Sequence, residues 1–145
     1  MLLSNSCKYG VRALLYIAME GDKNKKTGLQ KIAEALDIPS PYLSKIMRDL
    51  GKYRLVRSSK GPNGGFYMTP KEKSKTLLDI IEAVDGLKYF TECSLGMEDC
   101  NNSNPCPLHK EIVSIRENIK KTIGKHSIEK VAQKVKIGEL VITLK

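Results

Sequence analysis

Residues 40–69 read SPYLSKIMRDLGKYRLVRSSKGPNGGFYMT, and this stretch decides the fold. Ser40 offers a capping hydroxyl and Pro41 suits the first helical position, where its missing N–H is harmless. The apolar residues that follow recur at helical spacing and are predicted to face inward: Leu43, Ile46, Met47 and Leu50. Two short β-prone runs, 55–59 and 66–69, flank a loop rich in Gly, Pro and Asn. This arrangement predicts a helix followed directly by a hairpin.

Two further helices are predicted on the N-terminal side of this stretch. Residues 27–36 carry Leu29, Ile32, Ala33 and Leu36 on one face, and residues 4–19 show the same periodicity. The tight connection Asp37-Ile38-Pro39 joins the second helix to the third, as in a helix-turn-helix. A hairpin directly after such a motif is the wing of a winged helix. The fold class is therefore predicted to be mainly α with a small β-hairpin, a winged helix-turn-helix.

The C-terminal side adds a long helix that is predicted to dimerise. Residues 76–84 form one more amphipathic helix, and periodicity then disappears from 92 to 107. Beyond the loop, a narrow apolar stripe with charged flanks such as Arg116 indicates a seam for a second helix. The stripe consists of Ile112, Ile115, Ile119 and Ile123. We divide the chain into a DNA-binding domain (1–86), a Cys-rich loop (87–109), and a dimerisation helix with a short helix from Ser127 and a tail (110–145).

The positive charge is concentrated in the first half of the chain. The 145 residues carry a net charge of +9; residues 1–75 hold 15 basic and 6 acidic side chains, whereas residues 76–145 hold 10 of each. Six basic residues against one acidic residue lie between Lys45 and Lys60. The basic patch therefore coincides with the helix-turn-helix, which favours nucleic acid as partner over a merely soluble basic face. No apolar run approaches a membrane span or a signal-peptide core, so we expect a cytoplasmic protein without a membrane partner.

The geometry of B-DNA assigns candidate contacts. The major groove admits one helix, whose N-terminal residues meet base edges while its flanks meet phosphates. Small residues at the wing tip allow its backbone to approach a narrow groove. The candidate DNA-binding residues are Ser40, Tyr42, Ser44, Lys45 and Arg48 on the third helix, and Ser58, Lys60 and Gly61 in the wing.

A second constellation is Cys93-x6-Cys100-x5-Cys106-x2-His109. Three thiolates and an imidazole from one loop are soft ligands that select zinc or an iron-sulfur cluster. The single CxxC-like knuckle mildly disfavours zinc, and a loop with free thiols is the alternative. Cys7 has no such neighbours and is expected to be a packed or idle thiol. A catalytic grouping of Ser/His/Asp or paired carboxylates is missing from the sequence, so we do not expect an enzyme.

With these motifs, the chain resembles the Rrf2 family of winged-helix transcription regulators over roughly its first 132 residues. The resemblance is carried by KYGVRALL at 8–15, IAE at 32–34 and SPYLSKI at 40–46. The wing string LVRSSKGPNGGF at 55–66 is the most specific, and the cysteine loop and SIEKVA at 127–132 follow in register.

The resemblance implies a homodimer joined through the long helix, a pseudo-palindromic operator and a cluster bound by Cys93, Cys100 and Cys106. The fourth ligand varies among family subgroups between a His that matches His109 and an Asp at the position of Lys8. Lysine is not such a ligand, which favours a 2Fe-2S cluster with His109. The family's acidic recognition-helix residue is replaced here by Ser44. The alternatives are a cluster-free regulator that senses thiol oxidation or a protein partner, and a zinc-stabilised interaction module.

Overall fold

A computed structural model of the chain describes residues 3–21 and 24–136. These residues form eight helices and one two-stranded antiparallel sheet. The elements are α1 (Asn5–Glu20), α2 (Leu29–Leu36), α3 (Ser40–Lys52), β1 (Arg57–Ser59), β2 (Gly65–Tyr67), α4 (Pro70–Lys73), α5 (Leu77–Val84), α6 (Lys88–Thr91), α7 (His109–Gly124) and α8 (Ile128–Lys136). The predicted fold class, mainly α with a small hairpin, is confirmed. The predicted tail, 137–144, lies outside the described residues.

The main core lies where α1, α2, α3, α5 and α8 meet. Each helix contributes an apolar face, and the four α3 residues predicted to point inward are all buried there. Leu14 of α1 and Ile32 of α2 are fully buried in the same cluster. The C-terminal helix α8 returns to pack on α1 through Ile128 and Ala132. The burial of these apolar faces supplies the driving force for folding of the head.

The start of α3 differs from the sequence-based expectation. Pro39 is the N-cap and Ser40 is already helical, so the prediction of Ser40 as the capping residue was wrong by one position. The Ser40 Oγ instead donates to Gln30 Oε1 of α2 over 2.8 Å. The Ser40 hydroxyl therefore links α3 to α2, the two helices of the helix-turn-helix, and stabilises their relative placement.

The hairpin is shorter than predicted and is anchored at its base. Arg57 pairs with Tyr67 and Ser59 with Gly65 in the antiparallel ladder. Thr27, predicted to be helical, lies in an isolated bridge to Phe66 with N–O distances of 2.9 and 2.8 Å. Gly65 has φ +147°, and a Cβ there would lie 2.8 Å from the Thr27 carbonyl carbon and oxygen. Glycine at 65 is therefore required for the close approach of β2 to this segment.

The inward face of α7 does not match the predicted isoleucine stripe. Ile119 and Ile123 pack within the protomer against a second cluster that contains Cys7, Ile81 and Phe90. Ile115 is 53% exposed, whereas Arg116, predicted to be a flanking charge, is buried. Two of the four isoleucines thus find apolar partners in their own chain, which a one-dimensional pattern could not distinguish from an intermolecular seam.

Candidate nucleic-acid interface and metal centre

The outer face of α3 carries exposed cations. Lys45 and Arg48 are exposed, while Ser44 is half-buried and Ser40 is engaged with Gln30. Lys52, at the last turn, lies 3.6 Å from Asp49 in an exposed ion pair. The exposed face of α3 is therefore mainly basic, as the sequence predicted.

Tyr42 is held against α1 rather than free at the helix opening. Its hydroxyl lies 2.5 Å from Ser6 Oγ, and its ring meets the edge of Tyr9 with centroids 5.7 Å apart. Arg12 in turn lies over the ring of Tyr9, with its guanidinium carbon 5.0 Å from the ring centroid. Although 37% exposed, Tyr42 is thus oriented by two neighbours. This contact joins α3 to α1 and stabilises the position of the helix opening.

The wing presents small and basic residues at its exposed tip. Ser58, Lys60 and Gly61 are all exposed, and Gly61 adopts φ +101° in the turn closed by the Gly64 N–H. Behind the wing lies an open cavity of about 530 Å³ whose lining includes Arg54 and Lys71. The predicted DNA-binding residues therefore lie on two elements of one head, α3 and the wing.

An ion pair anchors the base of the wing. Arg57 Nε donates to Glu72 Oε1 over 2.7 Å, and Glu72 forms a capping box with Thr69 at the start of α4. Burial raises the pKa of Glu72, but hydrogen bonds from Thr69 and Arg57 outweigh it and lower the pKa from 4.5 to about 2. The sequence analysis missed Glu72, although Thr69-x-x-Glu72 is a capping-box pattern.

The cysteine loop is organised around its thiols. From 92 to 108 every residue is exposed except Cys93, Cys100 and Cys106, which are half-buried. The three Sγ atoms all lie within 4.8 Å of one another, and Cys93 and Cys106 are separated by 3.8 Å. The structure thus brings together the three cysteines that the sequence indicated as ligands.

His109, the first residue of α7, lies beside one of the three cysteines. Its Nδ1 lies 3.2 Å from Cys100 Sγ, and its Nε2 lies 3.1 Å from Asn102 Oδ1. A neutral imidazole that donates its Nε2–H to this amide oxygen would direct the Nδ1 lone pair toward Cys100, and that lone pair is what a metal ligand requires. Asn102 is therefore a supporting residue that the sequence analysis missed, because nothing in a loop of Asn and Ser distinguishes it.

Backbone amides favour ionisation of one thiol. The N–H groups of Met97 and Leu95 lower the pKa of Cys93 from 9.0 to about 7. The Cys106 N–H acts in the same direction on Cys100, yet burial and the neighbouring thiols outweigh it and raise the pKa of Cys100. Cys93 is therefore the more readily ionised of these two thiols.

The donor set fits a metal or an iron-sulfur cluster. Cys93 with Cys106, and Cys100 with His109, form two close pairs of soft donors, which is the donor chemistry that an iron-sulfur cluster would use. The separation of 3.8 Å between the Cys93 and Cys106 sulfurs also matches one tetrahedral ion, because metal–sulfur bonds of about 2.3 Å give about that spacing. The Cys93 and Cys106 sulfurs would thus suit a single ion as well as a cluster.

Cys7 takes no part in this site. It is fully buried in α1 and packs with Ile81 and Phe90, as predicted for a packed thiol. Burial and the nearby Asp85 raise its pKa to about 12, so it stays protonated. In the described ranges, no helix combines the length and the apolar content that a membrane span requires.

Comparison with known proteins identifies the family. Residues 3–134 match the Rrf2 family, which is described as a family of iron-dependent transcriptional regulators. The chain belongs to the Rrf2 family. An HTH-type transcriptional regulator of Aquifex aeolicus is 33% identical over 121 residues, which cover 82% of this chain and 83% of that protein. The HTH-type transcriptional regulator IscR of Xenorhabdus nematophila is 29% identical over 133 residues, 92% of this chain and 80% of that protein.

Solved structures share the fold of this Rrf2 protein. CymR, the global cysteine regulator of B. subtilis, superposes with a TM-score of 0.75 at 23% identity, covering 90% of this chain and 95% of that one. T. potens IscR gives a TM-score of 0.71 at 21% identity, covering 97% and 92%. The winged-helix fold is thereby confirmed. These relatives and neighbours are transcription regulators rather than enzymes, and the chain is a transcription regulator of the Rrf2 family.

Proposed function

We propose that the chain is a dimeric, sequence-specific DNA-binding repressor of the cytoplasm whose operator affinity depends on a 2Fe-2S cluster. Cys93, Cys100, Cys106 and His109 would hold the cluster, which supplies a redox-sensitive, acid-labile organiser for the loop. The observation that carries the proposal is the convergence of the three cysteine sulfurs within 4.8 Å of one another, with His109 Nδ1 3.2 Å from Cys100 Sγ. The loop that would hold the cofactor lies in the chain between the winged-helix head and the candidate dimerisation helix α7.

The head supports binding to duplex DNA. Exposed Lys45 and Arg48 extend along α3, and exposed Ser58, Lys60 and Gly61 form the wing tip. We assign base reading to the α3 opening, with Ser40, Tyr42 and Ser44, and phosphate contacts to Arg48 and Lys60. Because Ser40 and Tyr42 are bonded to α2 and α1, they also hold the reading helix in a defined orientation.

Exposed apolar residues on and before α7 support the homodimer. Leu108 and Ile115 are largely exposed, and Ile112 is half-buried. An apolar side chain on a charged helix gains free energy when a second helix covers it. The seam therefore includes Ile112 and Ile115, with Ile119 and Ile123 bracing α7 from within the protomer. Such a dimer presents two heads to a pseudo-palindromic operator with half-sites about 34 Å apart.

The cofactor couples to DNA through the order of the loop. Loading it fixes the segment between the head and α7, and thus the angle between the two heads. A coupling of roughly 1–3 kcal/mol shifts operator affinity about 5- to 150-fold. The test measures operator affinity of the loaded protein, of the protein after oxidative loss of the cofactor, and of Cys106→Ala. Equal affinities in all three would refute the sensing role and leave DNA binding intact.

Zinc is the second candidate cofactor, favoured by sulfur atoms that already lie within 4.8 Å of one another. Anaerobic purification followed by an absorbance spectrum and metal analysis separates the possibilities. Visible charge-transfer bands support the cluster, and colourless protein with stoichiometric zinc supports a structural zinc site. Colourless, metal-free protein supports a thiol sensor and overturns the cofactor proposal.

DNA binding is tested with an operator selected from a random duplex library. Lys60→Gln is expected to weaken binding to every sequence and to reduce the salt slope by about one, whereas Ser44→Ala changes sequence preference. Lys130→Gln, which makes the same charge change at an exposed position of α8, is the control and leaves binding unchanged. If Lys60→Gln and Ser44→Ala both behave like the control, the assigned DNA-binding face is wrong.

A further inference from the structure

Arg116 is an unusual residue on α7. It is 6% exposed and lies on the inward side of the helix with Ile119 and Ile123. Its Nη1 donates to the backbone carbonyl of Glu92, and its Nε–H is buried without a partner. The ion pairs formed among the described residues do not include Arg116. A buried guanidinium with one carbonyl acceptor and one unpaired N–H is therefore incompletely compensated.

The position of Arg116 connects it to the Cys/His group. Its acceptor is the carbonyl of Glu92, which is the C-cap residue of α6 and directly precedes Cys93 in the chain. Its own helix begins with His109, two turns earlier. Arg116 thus contacts the backbone on the N-terminal side of the loop while it belongs to the helix on the C-terminal side.

The charge of a loaded site has the sign that Arg116 requires. Three thiolates and a neutral imidazole around a divalent ion carry one net negative charge, and the same donors around an oxidised 2Fe-2S core also carry one. Because the loop is exposed apart from its cysteines, the described residues provide this anion with little other buried positive charge. A guanidinium that is hydrogen-bonded to the residue preceding Cys93 would offset part of this negative charge.

We propose that Arg116 is a positioning residue of the Cys3His site, which holds Cys93 through the Glu92 carbonyl and balances the negative charge of the loaded site. The inference rests on the proposed metal-binding role of the loop. It applies to zinc and to a 2Fe-2S cluster alike. It also links the site directly to α7, so that loading the site and the placement of this helix depend on one another.

A purely structural role makes a different prediction. If Arg116 only caps α6, its replacement destabilises the folded protein with or without metal and leaves the affinity for metal unchanged. If Arg116 balances the site, replacing it by an apolar residue of similar length removes an uncompensated buried charge from the metal-free protein. The metal-free variant is then at least as stable as the metal-free wild type, and only the metal-loaded variant is less stable than its wild-type counterpart.

The experiment uses the full chain, prepared metal-free without oxygen. Co²⁺ is titrated and followed by its thiolate charge-transfer absorbance, and Zn²⁺ affinity is measured by competition for bound Co²⁺. Arg116→Met is expected to bind both ions about 10- to 100-fold more weakly than wild type, the usual loss when a supporting residue of a metal site is removed. Arg116→Lys, which keeps the charge but not the planar fork, recovers part of the loss. Lys121→Met, an exposed charge on the same helix, is the control and binds as wild type does.

Urea unfolding of the metal-free variants completes the test. Unchanged or increased stability of Arg116→Met together with weakened Co²⁺ binding supports the proposal. Wild-type affinity in Arg116→Met overturns it, whatever happens to stability. If the wild-type protein itself binds neither ion, the proposed metal site fails and this inference fails with it. That outcome is distinct, because it is already evident before any variant is compared.

Discussion

The winged-helix head and the cysteine loop are ordered by different forces. In the head, α1, α2, α3, α5 and α8 bury Leu14, Ile32 and Leu43 completely. In the loop, from 92 to 108, nothing is fully buried and only the three cysteines are half-buried. Hydrophobic burial therefore stabilises the head, whereas the loop contributes no side chain to either apolar cluster. On the proposed function, this difference lets the loop lose order on loss of its cofactor while the head stays folded.

Loss of a metal ligand is expected to have the largest effect, confined to the loop. Structural zinc sites have apparent binding free energies of about 10–16 kcal/mol, and Cys106→Ala should abolish tight metal binding by the proposed site. Hydrogen exchange should then show loss of protection in 92–108 and retained protection in α1 and α3. Ser94→Ala, an exposed loop substitution, is the control. Simultaneous loss of protection in both regions would contradict the division between them.

The same substitution in the two regions sharpens the contrast. Leu14→Ala leaves a cavity in the main core and is expected to lower the free energy of unfolding by about 3 kcal/mol. Leu95→Ala removes a side chain that is 49% exposed, so the loss should stay within about 0.5 kcal/mol. Urea unfolding of the metal-free protein measures both. Comparable losses for the two leucines would mean that the loop contributes to the apolar core.

A glycine substitution in the wing tests how closely the wing packs against the rest of the head. Gly65→Ala places a Cβ 2.8 Å from the Thr27 carbonyl group at φ +147°, and we expect a loss of about 2 kcal/mol and weaker operator binding. Gly51→Ala is the matched control, because a Cβ in the α3 helix at that position meets open space. It should raise stability by up to about 1 kcal/mol. A Gly65→Ala protein as stable as wild type would exclude the tight contact between the wing and Thr27.

The ion pair beneath the wing gives the smallest effect and a pH signature. Because the pKa of Glu72 is lowered from 4.5 to about 2, its contribution is complete above about pH 5 and is lost as the pH falls toward 2. Glu72→Gln should cost about 1 kcal/mol at neutral pH, since Gln keeps an acceptor oxygen, and should flatten the acid limb of the stability curve. Glu82→Gln, exposed on α5, should leave that limb unchanged. An identical acid limb in Glu72→Gln and wild type would show that the Arg57–Glu72 ion pair does not contribute to the loss of stability at acid pH.

Most of the fold could be predicted because periodicity and turn residues are local signals. The inward residues of α3, the hairpin and the irregular 92–107 segment follow from spacing, glycine and proline alone. The helices α4 and α6 were missed because four residues contain too little periodicity to register. The Ser40 cap was misplaced by one residue, because Gln30 lies close in space and not in sequence.

The candidate site divides in the same way. The sequence by itself determined the donor types, since Cys93, Cys100, Cys106 and His109 are soft ligands whatever their arrangement, and it determined the basic character of α3 and the wing. Only the tertiary structure decided that Asn102 orients His109, that Thr27 and Glu72 anchor the wing, and that Arg116 rather than Ile115 turns inward on α7. The physical reason is that burial and hydrogen-bond partners depend on which elements meet, and residues far apart in the chain supply them.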